Sequence, residues 1–449
     1  MTPSDPPASS LHVLRLTPYY YLPERELTHR ELQYEPIGGM QVQIMQTTEE
    51  VSANGASQSV VFPRRVGMAR QVDRDARTSF ELLKLPVTPI PTRSKGYLGL
   101  LVSWGLAVLA WSIRQRLTGR HRRFSLIHVH CSELPWTFLF AVLAKMVLRR
   151  PLMLTTHCSA IATFHPETLL GRLLIGPARV FERMAVRRAD AAIVLTDRVR
   201  DVYLDLGLTT PERVHVVPDG VRLDMFRPYP QPVDPAVDAG AAPVVLYCGR
   251  FAPEKGWADY VDAAAVMVAQ GTDARFVMCG DGNELKHCRA RLEEHGIADR
   301  VELRGHLDRA EIAVEIKQAT VVVIPSRHEE MGGTVLEALA AGRAVVVTDV
   351  GGLPNVVDHG EAGLIVPPWD PPAIAAAVQR HLASPELRAR CGLRGMSRAA
   401  EFELSSVTSR LVGIYRSIAA PLAVQPVPAL PVLDVPLLEP VAEAAGVAS

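Results

Sequence analysis

The chain has 449 residues, 48% of them hydrophobic and 21% charged, and its lysines plus arginines balance its acids to a formal net charge of +0. That is enough chain for two α/β domains with full cores, and the balanced charge weighs against a dominant nucleic-acid footprint or a basic membrane-docking face. Six cysteines, Cys131, Cys158, Cys248, Cys279, Cys288 and Cys391, have no close CxxC spacing and fall mostly in apolar segments. They read as buried thiols in a reducing compartment with no zinc site. The opening MTPSDPPASS has neither a basic start nor an apolar run, so secretion is not expected and the cytoplasm is.

LHVLRLTPYY reads as an apolar strand running into a turn, and IGGMQVQI (Ile37 to Ile44) follows with a glycine pair, Gly38 and Gly39, ahead of a helical pattern. Tyr97 to Ile113 is an uncharged run of 17 residues that includes serine and glycine. About 20 apolar residues are needed to span a bilayer, so a helix packed on a sheet is the expected reading, with interfacial contact left open. The basic stretch Arg114 to Arg123 reads as a surface helix end. SLIHVHCSE is a strand with His130 at its carboxyl end and Glu133 just beyond, and Leu152 to Thr156 is a strand that delivers His157. A lone histidine is more often a satisfied core or surface residue than a functional one, so both rest on their place at strand ends.

Strands alternate with helical patterns to about Arg227, giving a first domain over residues 1–227. The proline-rich stretch that follows predicts a linker at 228–243, and a second alternating series predicts a domain at 244–404. Ser405 to Ile418 reads as a final helix, and residues 420–449, punctuated by prolines, as an extended tail.

Within the second series, the strand Val244 to Cys248 is followed by Arg250 and Lys255, which bracket Pro253 and precede Gly256. The buried strand Val321 to Ile324 is followed by PSRHEEMGGTVLEAL, which sets Glu329 and Glu337 on either side of a Gly-Gly-Thr turn that opens a helix near Gly333. Single glutamates are usually caps or solvated acids. Cations, carboxylates and a helix start at the carboxyl ends of parallel strands, however, suit a sugar nucleotide: amides and cations for the diphosphate, carboxylates for hydroxyls.

In this order and spacing the residues resemble the donor-binding half of the retaining GT-B glycosyltransferases of family 4, whose signature is two glutamates separated by seven residues. The resemblance runs from about Leu11 to Tyr415. It implies an α/β fold of two doubly wound Rossmann-like domains facing across a cleft, with the final helix crossing back. It also implies a uridine diphosphate sugar donor whose departing diphosphate is met by Arg250 and Lys255. Glu329 would hold the transferred sugar with the amides of Met331, Gly332 and Gly333 and the neighbouring Thr334, and Glu337 the ribose. The backbone at Gly305 and His306 would read the base, Gly38 and Gly39 would let the first-domain loop approach, and His157 would lie beside the reacting centre. His130 and Glu133 would border the acceptor. Front-face substitution needs no side-chain nucleophile, and neither a metal nor another cofactor is expected. Met331 stands where most relatives have phenylalanine.

The segments TTHCS and HEEMGGTVLEAL resemble most the aminoglycoside-pathway branch, which attaches N-acetylglucosamine or glucose to 2-deoxystreptamine. Glu24, Glu26 and Glu133 are then candidate partners for its amines. An inositol-phosphate acceptor would instead call on cations such as Arg64, Arg65 and Arg70, a lipid-linked acceptor on the face around Arg114 to Arg123, and a non-catalytic sugar-nucleotide sensor would keep the pocket without turnover.

Overall fold

The computed structural model describes residues 11–22, 39–64, 71–86, 90–92, 96–164, 169–227 and 242–419. Gly38, Glu24, Glu26, Arg65, Arg70, nearly all of the expected linker and the tail lie outside them.

The first domain carries β1 (His12–Leu16), β2 (Ser57–Pro63), β3 (Gln71–Asp73), β4 (Thr78–Leu83), β5 (Ile90–Thr92), β6 (Gly96–Leu98), β7 (Leu126–Cys131), β8 (Leu152–Thr156), β9 (Ala191–Val194) and β10 (Val214–Val216). Eight of these form one sheet in the order β10-β9-β8-β7-β1-β2-β4-β3, parallel throughout except where β3 runs against β4. The second domain carries β11 (Val244–Cys248), β12 (Arg275–Cys279), β13 (Val301–Gly305), β14 (Val321–Ile324), β15 (Ala344–Thr348) and β16 (Leu364–Val366), all parallel, in the order β13-β12-β11-β14-β15-β16. The short runs VVVI and AVVVT are buried at every position, as expected of strands covered by helices on both faces. This is the GT-B architecture.

Strand order reverses twice, between β1 and β7 and between β11 and β14. Open α/β sheets hold ligands outside the carboxyl ends of strands at such reversals. The loops after β11 and β14 carry Arg250, Lys255 and Glu329, and the loops after β7 and β8 carry Glu133 and His157.

Two sequence expectations need correction. Regular alternation fails between Ser57 and Leu98, where, among the described residues, five strands follow one another without a helix. A local turn explains one junction: the Asp75 carboxylate accepts from the amides of Arg77 (2.7 Å) and Thr78 (2.8 Å), folding β3 back onto β4. The domain boundary also moves. The short helix Leu223–Phe226 buries Leu223 and Phe226 against Leu336 and Leu339, so the chain has joined the second core before residue 228.

The apolar run near residue 100 forms the helix Leu100–Leu117, anchored by Trp104, Val108 and Trp111. The Trp111 ring N–H donates to Glu81 at 2.7 Å. Among the described residues no helix is long and apolar enough to cross a membrane. Part of the basic stretch is tied down as well: Arg123 pairs with Glu81 at 2.6 Å and Arg116 bonds His121 at 2.7 Å.

The last helix, Leu404–Ala419, returns to the first domain. There Val407, Leu411, Val412, Ile414 and Tyr415 pack with Val13, Val51, Leu126, Met153 and Ile193. Each such side chain contributes about 1.5–3 kcal/mol by burial. The two crossings between domains lie side by side, the Val221 amide donating to Phe402 and the Leu404 amide to Val221, at 2.8 and 3.0 Å.

Candidate active site

The second-domain wall of the cleft is built from two loops in contact. After β11 the chain makes a short turn, Pro253–Lys255, ending at Gly256 with φ +65°. An added Cβ there would run into the Pro325 carbonyl oxygen, so only glycine allows the two loops to approach this closely. The approach brings Lys255 Nζ to 2.6 Å from Glu329 Oε2, and Ser326 Oγ lies 3.3 Å from the same oxygen. Arg250 donates to Glu254 at 2.7 Å, and the Glu254 carbonyl accepts from the amides of Arg327 and His328. Burial alone would raise the Glu254 carboxyl, but Arg250 and Lys255 hold it below its ordinary value. The cations are thus oriented at the strand ends by neighbouring carboxylates.

Gly332, with φ +88°, caps the helix Gly333–Ala340, whose first amides open toward the loop that carries Glu329. Gly333 is exposed, Thr334 half-buried and Glu337 lies one turn along, held by Arg309 at 3.3 Å. Burial raises the Glu337 carboxyl and Arg309 opposes this. Met331 is 4% exposed and packs in the second-domain core. Its side chain therefore supports the loop from beneath. Gly305 ends β13 with φ +73°, and its carbonyl accepts from Gly280 at 2.8 Å, with His306 exposed beside it.

On the first-domain wall, His157 Nε2 lies 2.9 Å from His130 Nδ1, and His130 Nε2 lies 2.9 Å from an Arg15 guanidinium nitrogen. Arg15, 0% exposed, also donates to Thr47 (3.0 Å) and Thr48 (2.8 Å). Burial pushes His157 down to about 3 and His130 well below its ordinary value, helped by the Arg15 charge, so both rings are neutral. Gly39 is exposed at the start of the helix Gly39–Ala53, with no atom within 4 Å of an added Cβ. Glu133 is half-buried, close enough to Cys158 to help burial raise that thiol. Arg64 sits at the end of β2, its amide on the Leu83 carbonyl.

The two walls meet. Cys158 Sγ lies 3.5 Å from His328 Nε2, and the Thr163 hydroxyl donates to Glu330 at 2.7 Å. His157 and Glu329 are therefore each one residue from a contact that spans the cleft. Glu330, with Thr196 as a second donor, is pushed up to about 7 by burial. Asp219 is likewise pushed up to about 7, by burial and by the negative charges of Glu329 and Glu330. Beneath the His157 loop, buried Glu182 accepts from Ser159 (2.5 Å), Tyr203 (2.6 Å) and the Ile161 amide (3.1 Å), which fixes the chain between His157 and Thr163.

Residues 237–398 match the family described as "Glycosyl transferases group 1" and residues 38–220 the "Glycosyl transferase 4-like domain". Alpha-D-kanosaminyltransferase of Streptomyces kanamyceticus is 33% identical over 391 residues, 84% of this chain and 100% of that protein. The chain belongs to the family 4 glycosyltransferases. A 2-deoxystreptamine N-acetyl-D-glucosaminyltransferase of Streptomyces fradiae is also 33% identical, over 87% of this chain and 96% of that protein. Sucrose-phosphate synthase from Thermosynechococcus elongatus shares the fold of this glycosyltransferase with a TM-score of 0.74 at 23% identity, covering 91% and 99% of the two chains. The Anabaena protein HepE in complex with UDP-glucose does so with 0.66 at 17%, covering 91% and 100%.

Arg15, Asp219, Glu254 and Arg309 were not singled out from the sequence, and Glu330 was read only as part of the segment that marks the branch, with no role of its own. Two of them carried a signal: Arg15 is a charge inside an apolar strand, and Glu330 directly follows Glu329.

Proposed function

We propose that this glycosyltransferase moves N-acetylglucosamine or glucose from a uridine diphosphate sugar to a hydroxyl of 2-deoxystreptamine, with retention of configuration and no metal or other cofactor, in a cytoplasmic antibiotic pathway. The observation that carries the reading is the Lys255–Glu329 pair, 2.6 Å apart at the strand reversal and next to the contact that brings His157 across the cleft. A carboxylate for sugar hydroxyls and an ammonium for the leaving diphosphate then stand side by side, facing the bond to be broken from the same wall.

In this reading Arg250, Lys255 and the amides at Gly332 and Gly333 take up charge as the diphosphate departs, and the diphosphate itself draws the proton from the acceptor hydroxyl. Glu329 holds the transferred sugar, Glu337 the ribose, and the backbone at Gly305 the base. The acceptor side is acidic. Asp219 and Glu330 are held partly protonated in a cleft that also contains Glu329 and Glu133. An aminocyclitol carrying two ammonium groups would relieve that mutual repulsion, whereas an inositol phosphate would add to it. The name of the Streptomyces fradiae relative points to the same acceptor.

The test is mass spectrometry of 2-deoxystreptamine incubated with the protein and a panel of sugar nucleotides. A mass gain with UDP-N-acetylglucosamine or UDP-glucose is expected. Transfer only to inositol phosphate, or to no acceptor with any donor, would overturn the assignment.

A further inference from the structure

Arg15 is a fully buried cation whose described polar partners are the hydroxyls of Thr47 and Thr48 and one ring nitrogen of His130. A guanidinium can only donate. His130 Nε2 must therefore accept, which leaves the single proton of the neutral His130 ring on Nδ1. That nitrogen faces His157 Nε2 at 2.9 Å, so His157 Nε2 accepts in turn and its own proton is confined to Nδ1. The direction of each bond follows from the one before it, and the sequence begins at a group that has no alternative.

We propose that Arg15 and His130 are positioning residues that lock His157 in the Nδ1-protonated tautomer, so that it meets the transferred sugar as a hydrogen-bond donor to oxygen. A buried cation and two neutral histidines thus stand in a row behind the cleft. A buried charge is costly, and here its field adds to burial, the larger effect, in keeping the imidazoles from taking up protons. The β-sheet supplies the alignment: Arg15 lies on β1, His130 on the adjacent β7, and His157 directly follows the next strand, β8, its amide bonded to the Cys131 carbonyl at 2.9 Å. A donor at this point recognises a hydroxyl or ring oxygen and repels an ammonium group. The inference rests on the reading that His157 borders the sugar.

The experiment uses full-length protein labelled with 15N-histidine, with the His157 ring assigned by its loss in His157→Gln. Long-range 15N–1H correlation reports which nitrogen is protonated. Wild type, Arg15→Lys and His130→Gln, each of which keeps a donor facing the next acceptor, are expected to show His157 protonated at Nδ1 alone. His130→Glu, which can pair with Arg15 and fold but presents only acceptors to His157, is expected to place a proton on Nε2 and to lower kcat by on the order of 10². A wild-type His157 protonated at Nε2, or a His130→Glu variant with the inverted ring and unchanged kcat, would overturn the proposal. If wild type transferred no sugar from any donor, the proposed function would fall while the ring signature still decided the lock.

Discussion

Replacing Lys255 with methionine keeps the length and apolar stem of the side chain and removes the charge that faces Glu329. At 2.6 Å and an effective dielectric constant of about 20, the attraction in that pair is roughly 6 kcal/mol before desolvation is subtracted. Lys255 is 25% and Glu329 16% exposed, so desolvation offsets most of this, and Ser326 remains as a donor to the carboxylate. The cost to folding is then about 1 kcal/mol, a few degrees in Tm at most. The cost to turnover is larger, because the ammonium is placed where charge grows as the diphosphate leaves. Loss of one such donor removes about 2.7–4 kcal/mol of transition-state stabilisation, or 10²–10³ in kcat. Nucleotide release assayed at saturating donor, beside a thermal melt, separates the two. A Lys255→Met protein that melts normally and keeps kcat within threefold would refute the role given to this cation.

Three further outcomes follow from the same geometry. Gly256→Ala forces a Cβ against the Pro325 carbonyl and parts the two loops, so we expect a loss of several kcal/mol in urea melts and, in whatever folds, a fall of about 10² in kcat from a shift of about 1 Å. Glu330, raised from 4.5 to about 7, binds its proton more tightly in the folded state than in the unfolded chain, so its contribution to stability falls as pH rises through that window. Glu330→Gln should flatten the slope and stabilise the protein at pH 8 by about 1–3 kcal/mol, measured by urea melts at several pH values; an unchanged slope would assign the dependence to other groups such as Asp219. Arg309→Ala frees Glu337, and donor KM should rise about tenfold with little change in kcat if that carboxylate is oriented for binding alone; a kcat defect of similar size would contradict this.

What could be read in advance divides along a physical line. The strands Val244–Cys248, Val321–Ile324 and Leu152–Thr156 were legible because a run buried on both faces must be apolar, and the helix start at Gly333 because it falls on the glycine pair Gly332 and Gly333. Strand ends then place Arg250, Lys255 and Glu329 with no knowledge of side-chain contacts. The β3–β4 fold-back was not legible, since it depends on one Asp75 carboxylate catching two amides. The acidity of the cleft escaped for a different reason. Asp219 comes from the crossing between domains and Glu330 is held by Thr163 and Thr196 of the opposite domain, so their proximity is created only when the halves come together. His130 and His157 were placed by their strands, but their bond to one another depends on the lateral order β7-β8, which periodicity does not report.

The returning helix has a practical consequence for building hybrids. Because Tyr415 bonds His128 at 2.7 Å and its neighbours fill the floor of the first sheet, residues 404–419 are covalently the end of one lobe and structurally part of the other. A chimaera that swaps acceptor halves at a single splice near residue 227 would pair a foreign sheet with this chain's closing segment. Grafts that transplant the terminal sixteen-residue helix together with the amino-terminal half are the ones expected to fold.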